Sequence, residues 1–473
     1  MTATTSVETA SQAPPSPPTL HRVMGPGLLL LFIVGDILGT GIYALTGQIA
    51  KQVGGAVWLP FVVAFIVAVM TAFSYLELVT KYPQAAGAAL YTHKAFGIHF
   101  LTFIVAFAVM CSGITSASTA SRAFAANFEH TFNLSDAGDT GVTLIGLAFM
   151  GLIAAVNFRG VGESVKANVV LTCVELSGLL IIIFIGLSAI AHGQGDVSRV
   201  IQFQPAGGGS LFWPVIAGTT LAFFAMVGFE DSVNMAEECK DPCRHFPKVL
   251  LAGLLMTGII YVLVSISAIT LVPAEELGEG EAPLLKVVAA GAPNFPVGIF
   301  GFITMFAVAN SALINMLMAS RLLYGMSREK VLPSIIGKVH PTRRTPYIAI
   351  AFTTLLALCL ISFVGEVPAL GGTTALLLLC VFTVVNVAVL VLRRDPVPHE
   401  HFRTPTILPV FAALCCAFLA GPWTGRDPLQ YKVAGILVGL GVVLWAVTVL
   451  INRATGTTRV TGKAAVPTRG PVN

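Results

Sequence analysis

The sequence predicts an all-α integral membrane protein with twelve transmembrane helices. Two observations set the class. The chain is 55% hydrophobic and only 11% charged, with a mean hydropathy of +0.85; a soluble domain carries about 25% charged residues. Apolar runs of ~20 residues, enough to cross a ~30 Å hydrocarbon core, recur from end to end. Lipid offers the backbone no hydrogen-bond partners, so spanning segments are helices or closed barrels. Barrel strands alternate over about ten residues, and these runs are longer and uniformly apolar.

A third observation sets the count and the orientation. The runs lie at 27–50, 56–80, 96–122, 141–158, 166–191, 211–236, 248–272, 296–325, 346–365, 368–392, 406–422 and 430–451. With the N-terminus inside, 21 of the 27 Lys and Arg residues fall on the cytoplasmic side. Only Lys51, Arg122, Arg199, Lys286, Arg426 and Lys432 fall outside. This bias follows the positive-inside rule and places both termini in the cytoplasm. The net charge of +4 therefore reports topology and does not call for a nucleic acid.

In chain order, residues 1–25 form a polar, proline-rich tail expected to be disordered, with no signal-peptide pattern. Helices 1–5 occupy 26–192, helices 6–10 occupy 211–394, helices 11–12 occupy 406–451, and 452–473 is a basic tail. The acidic "PAEELGEGEAP" at 273–283 is predicted to be an outer loop. "NLS" at Asn133 matches a glycosylation sequon on another outer loop. Six of the eight cysteines fall in spans; Cys239 and Cys243 lack the partner pair a zinc site needs. No metal and no cofactor is expected.

Two helices are interrupted. Helix 1 carries "GDILGTGIY", Gly35 to Tyr43, and helix 6 carries "AMVGFE", Ala225 to Glu230. Glycines such as Gly39 and Gly41 weaken a helix by about 1 kcal/mol each. Five spans separate the breaks, so they open successive five-helix blocks. An odd-numbered block inverts its partner in the membrane, which is carrier logic. No phosphate-cradling "GxxxxGK" loop is present, so ATP is not the expected driver. Nine scattered histidines supply no enzymatic constellation. A channel would need a short pore.

The motifs resemble the amino acid–polyamine–organocation (APC) superfamily of permeases over nearly the whole chain. They are "GDILGTGIY"; "SYLELVTKYPQAAGAALY" from Ser74; "NFRGVGESVKAN"; "FFAMVGFEDSVNMAEECKDPCRHFPK" from Phe223; "SRLLYGMSREKVLP" from Ser320; and "FRTP" from Phe402. The helix 6 segment is most similar to the cationic amino acid transporter branch. The resemblance implies a LeuT-type five-plus-five inverted repeat. It also implies that the two breaks bind the ends of an amino acid at Gly39, Thr40, Gly41, Phe224, Ala225, Val227 and Gly228. The physics agrees: amides freed at a half-helix N-terminus suit a carboxylate, and freed carbonyls near Ala225 suit an ammonium. Alternatively, the glycines only permit close helix packing, and Phe224 is either an aromatic gate or lipid-facing filler.

Asp36 and Glu175 are ionisable residues within spans, each roughly 13–15 Å deep at 1.5 Å per residue. Such residues are costly in lipid and mark function; protonation is the natural relief. The resemblance aligns Glu175 with a lysine that replaces a coupling sodium in several family members. A glutamate departs from that pattern, yet still cycles a proton or attracts a cation. Structural alternatives stand beside these: Asp36 orienting the broken helix, and Glu175 as a neutral acid within the bundle. Glu230 and Asp231 suit the first turn of a half-helix, or recognition of a cationic side chain. Asn310, Ser311 and Asn315 either line the path or tie helices together. The sequence thus points to a secondary active transporter that imports an amino acid across the cell membrane with a proton, Glu175 and Asp36 being the proton-coupling residues and sodium the second choice of coupling ion. An amino acid or polyamine exchanger without net ion coupling is the alternative, and a channel the remoter one.

Overall fold

The computed structural model describes residues 25–83, 87–134, 138–159, 165–203, 210–233, 239–328 and 331–454. Among them the architecture is all-helical. The first predicted span divides into α1 (Pro26–Ile37) and α2 (Thr40–Val53). Then come α3 (Trp58–Lys81), α4 (Gly87–Phe96), α5 (His99–Thr131), α6 (Gly138–Arg159), α7 (Val165–Ala191) and α8 (Phe212–Ala225). They are followed by α9 (Pro242–Leu271), α10 (Ala274–Leu277), α11 (Pro283–Gly291), α12 (Val297–Arg328), α13 (Tyr347–Phe363), α14 (Val367–Leu392), α15 (Ile407–Ala420) and α16 (Pro428–Ala454).

Counting α1 with α2 as one, nine helical segments among the described residues are long and apolar enough to cross a membrane. Three shorter apolar helices, α8, α13 and α15, accompany them. Their outward faces are apolar, with Phe184, Phe363 and Ile436 among the most exposed side chains. Residues so apolar and so exposed need a hydrocarbon solvent, and the chain is a multi-pass membrane protein.

Packing follows the small residues. Helix association in lipid depends on close contact more than on hydrophobic drive. The face of α5 that carries Ser112, Thr115, Ser118 and Thr119 is buried. It meets α12, and Thr115 Oγ1 lies 2.7 Å from Thr374 Oγ1 of α14. The first half of the broken helix, α1, lies between α7 and α9, and its second half, α2, lies against α8.

One end of the bundle is tied by charge. Glu77 of α3 accepts from Arg393 Nε at 2.8 Å and Nη2 at 2.7 Å, and from the Thr404 amide at 2.9 Å. Arg393 also donates to the Thr404 carbonyl and Thr406 Oγ1. Thr80 Oγ1 accepts from the Phe402 amide at 3.0 Å, and Lys81 Nζ donates to the Leu392 carbonyl. The "YLELVTK" and "FRTP" motifs are therefore two sides of one joint between α3, the end of α14 and the lead into α15.

The sequence reading needs one correction outside the spans. The 273–283 segment is not simply a loop: α10 forms within it and α11 follows directly. Leu277, Leu284, Leu285, Val287 and Val288 are all buried there. The acidic residues hid an apolar stripe too short to register as a span. The segment after Lys81 likewise carries a separate helix, α4, of ten residues.

Candidate functional site

The site is built by the two chain breaks. α1 ends at Ile37, and Leu38 closes its last turn through a bond from its amide to the Val34 carbonyl at 2.9 Å. Gly39 then departs from helical geometry, with φ −50° and ψ −156°, and α2 begins at Thr40. The first amides of a helix have no intrahelical acceptor, so those of α2 open at the break. Thr40 is buried with its hydroxyl unpartnered among the described residues.

α8 stops at Ala225, closed by bonds from Met226 N to Phe223 O at 3.0 Å and from Val227 N to Phe224 O at 3.5 Å. Gly228 has φ +124°, a region that L side chains rarely adopt. The Glu230 carboxylate accepts from the Gly228 amide at 2.9 Å, and the Gly228 carbonyl accepts from Asp231 N at 3.0 Å. Residues 234–238, where the predicted sixth span continues, lie outside the described residues.

The breaks touch. A Cβ added at Gly228 would sit 2.6 Å from the Asp36 carbonyl oxygen. One added at Gly41 would sit 2.5 Å from Ala225 Cα. Ser311 of α12 closes a third side, its hydroxyl 3.0 Å from the Cβ position of Gly39. Phe224 is buried, and its ring lies 3.3 Å from the Cβ position of Gly371 in α14; it is not lipid-facing. Gly39, Thr40, Gly41, Ala225 and Gly228 thus converge at one crossing, with Phe224 beside it and Val227 in its connecting turn.

Solvent exposure is one-sided. Asp36, Val227, Asp231, Ser311 and Asn315 are half-buried, whereas every residue from Gly41 to Gly47 is buried. The crossing is therefore less tightly covered beside the end of α1 than along α2.

Four acids lie on the segments that build it: Asp36 in the last turn of α1, Glu230 and Asp231 two and three residues after Gly228, and Glu175 on α7. Glu175 lies on α7, one turn beyond Thr172, whose side chain packs against Gly35. It is 1% exposed, and neither carboxylate oxygen has a hydrogen-bond partner among the described residues. Asp36 Oδ2 is unpartnered as well. No group of three or more His, Cys, Asp or Glu among the described residues is arranged to hold a metal ion.

A family model for amino acid permeases matches residues 28–453. The chain belongs to the amino acid permease family. Among curated relatives, the chain is 27% identical to the branched-chain amino acid permease BcaP of Bacillus subtilis over 85% of this chain and 88% of that one. It is 26% identical to the methylthioribose transporter of the same organism, over 90% and 91%. It is 28% identical to the chloroplastic cationic amino acid transporter 9 of Arabidopsis thaliana, over 68% of this chain and 58% of that one.

Two groups at the permease crossing escaped the sequence reading. Tyr261 of α9 donates its hydroxyl to the Ile37 carbonyl at 2.6 Å, satisfying an acceptor freed by the break. Tyr43 donates to the Glu175 backbone carbonyl at 2.7 Å, joining α2 to α7. A tyrosine in an apolar run reads as packing; only its partner reveals the role, and the partners are 224 and 132 residues away.

Proposed function

We propose that this permease is a secondary active transporter that imports an amino acid across the cell membrane with a proton. The observation that carries the reading is the contact between the two interrupted helices, Gly41 on Ala225 and Gly228 on Asp36. The α2 amides supply an anion site for the substrate carboxylate. The Ala225, Met226 and Val227 carbonyls accept no hydrogen bond among the described residues and suit the ammonium. Phe224 covers the site from the α14 side. The twelve-span count, the inverted repeats at 26–192 and 211–394, and two cytoplasmic termini belong to the same reading.

Glu175 carries the proton in this scheme. A charged carboxylate with no partner is costly in a bundle interior. The acid is neutral when loaded and releases its proton as the inward path hydrates, with Asp36 as its partner in charge. Family membership and the amino acid permeases among the relatives support the substrate class.

A radiolabelled uptake panel tests the reading. It spans all amino acids, common polyamines and methylthioribose, at two pH values, with and without sodium. Amino acid accumulation that grows with an inward proton gradient is expected. Counterflow without gradient-driven accumulation would instead indicate an exchanger, and uptake driven by sodium alone would reassign Glu175 to a cation.

A further inference from the structure

The turn that leads from α12 into α13 carries cations without acids. Lys338, Arg343 and Arg344 are exposed, and from Val331 to Gly365 the chain holds no Asp or Glu. None of the three pairs with a carboxylate among the described residues, whereas Arg122, Arg199, Lys286 and Arg393 each do.

The turn is held in one shape. Its backbone closes on itself, with His340 N donating to the Thr345 carbonyl at 2.9 Å and Arg344 N to the His340 carbonyl at 2.8 Å. Arg344 sits at φ +56°, in the left-handed region that residues other than glycine rarely adopt. Thr345 Oγ1 donates to the Phe158 carbonyl, in the last turn of α6, at 3.1 Å. The Arg343 guanidinium lies 5.5 Å from the centre of the Phe158 ring, and the His340 ring meets the same ring edge-on at 5.4 Å. On the α12 side, Ser327 Oγ donates to the Pro333 carbonyl at 2.9 Å, and Ile336 is buried. The cations are therefore carried on a fixed platform between the ends of α6, α12 and α13. Charge that served solubility alone needs no fixed position.

Apolar side chains flank these cations. Ile335, Val339 and Tyr347 are 54%, 40% and 37% exposed, and Tyr347 opens the apolar helix α13. Basic groups beside exposed apolar side chains match the boundary of a bilayer, where anionic headgroups meet acyl chains. Water or a small soluble anion would satisfy the charges and leave Ile335 and Val339 bare.

We propose that the 338–347 turn binds the headgroup of an anionic phospholipid. Lys338, Arg343 and Arg344 take the phosphate, and Ile335, Val339 and Tyr347 lie against the glycerol and the upper acyl chain. A guanidinium suits the phosphate because it offers paired donors. The bound lipid ties the end of α6 and the α12–α13 connection to the membrane surface, and α12 is the helix that brings Ser311 to the crossing. Such binding needs the membrane setting of the chain and not its transport activity.

The test is binding of a fluorescent phosphatidylglycerol to the purified full-length chain in detergent, read by anisotropy. Phosphatidylcholine with the same label is the reference. Tighter binding of phosphatidylglycerol is expected, weakening as salt rises. A basic group near a membrane surface contributes about fivefold in affinity, so Arg343→Gln combined with Arg344→Gln is expected to weaken binding about 25-fold. Lysine at both positions is expected to keep most of the affinity. Arg344→Gly removes one charge while easing the positive φ. It is expected to cost about fivefold at unchanged thermal stability, and it keeps the site testable should the double variant misfold. Arg244→Gln, at the exposed start of α9, is the control outside the turn and is expected to change little. Equal affinity for the two lipids, or undiminished phosphatidylglycerol binding in Arg344→Gly and the double variant, overturns the site. An equal loss in Arg244→Gln and Arg344→Gly overturns its place in the turn. Glycerophosphoglycerol, the headgroup without chains, is expected to compete weakly; competition equal to that of the lipid overturns the lipid as occupant. Binding is read without transport, so failure here and failure of the uptake panel are separate results.

Discussion

Gly41 of α2 meets Ala225, the last residue of α8, across the two breaks: a Cβ on Gly41 would lie 2.5 Å from Ala225 Cα and 2.6 Å from its Cβ. Both neighbours are backbone or the first side-chain atom, so nothing there swings aside. The Gly41→Val variant is expected to insert correctly and to lose most binding and uptake. Surface expression and radiolabelled binding check this, and unchanged affinity would remove helix 1 from the site.

Glu175→Gln keeps the shape of the side chain and removes its proton. It is expected to retain counterflow exchange while losing accumulation driven by a proton gradient. Uptake by the natural protein is expected to rise as external pH falls, because the outward-facing acid must be neutral to load. Normal gradient-driven accumulation in the glutamine variant would make Glu175 structural.

Tyr261→Phe takes away the donor that satisfies the Ile37 carbonyl. A buried acceptor left unpaired costs about 1–3 kcal/mol, and the bound geometry of the break depends on it. A rise of about tenfold in the KM for uptake is expected, with expression preserved. An unchanged KM alongside lowered thermal stability would confine the hydroxyl to a packing role.

Cysteines introduced singly at Ser6 and Thr461, in a version without the native eight, report orientation. Both are expected to resist impermeant thiol reagents in intact cells and to react after permeabilisation. Reaction at one tail alone would make the number of spans odd and dismantle the inverted-repeat argument.

Much of this was legible before any coordinates. "GDILGTGIY" marked the first break because Gly39 and Gly41 spoil a span where regularity should be greatest, and the chain leaves its helix at Leu38–Gly39. "AMVGFE" marked the second, and α8 ends at Ala225. Depth along two helices allowed Asp36 and Glu175 to be neighbours, and Thr172, one turn before Glu175, packs against Gly35, the residue before Asp36. The hairpin was not legible: α10 is four residues and α11 nine, below the length at which apolar periodicity speaks. Nor were the Tyr261 and Tyr43 bonds, because a hydroxyl's partner is set by tertiary distance and leaves no mark on local spacing. Ser311 stood among three polar candidates in helix 8; only its approach to Gly39 singles it out.

The joint at Glu77 and Arg393 bears on how such a molecule moves. It fastens α3, the end of α14 and the lead into α15 with five side-chain and backbone hydrogen bonds centred on one ion pair. Those elements are therefore braced into a single plate at that end. α1 has no share in these bonds, its first residues are exposed, and its helical geometry ends at Leu38–Gly39. A swing of α1 against the plate would alter the width of the α1-side entrance while α2 stays seated on α8. The permease would then work as a door leaf hung on a two-residue hinge beside a fixed jamb, with the strength of the jamb set by one glutamate.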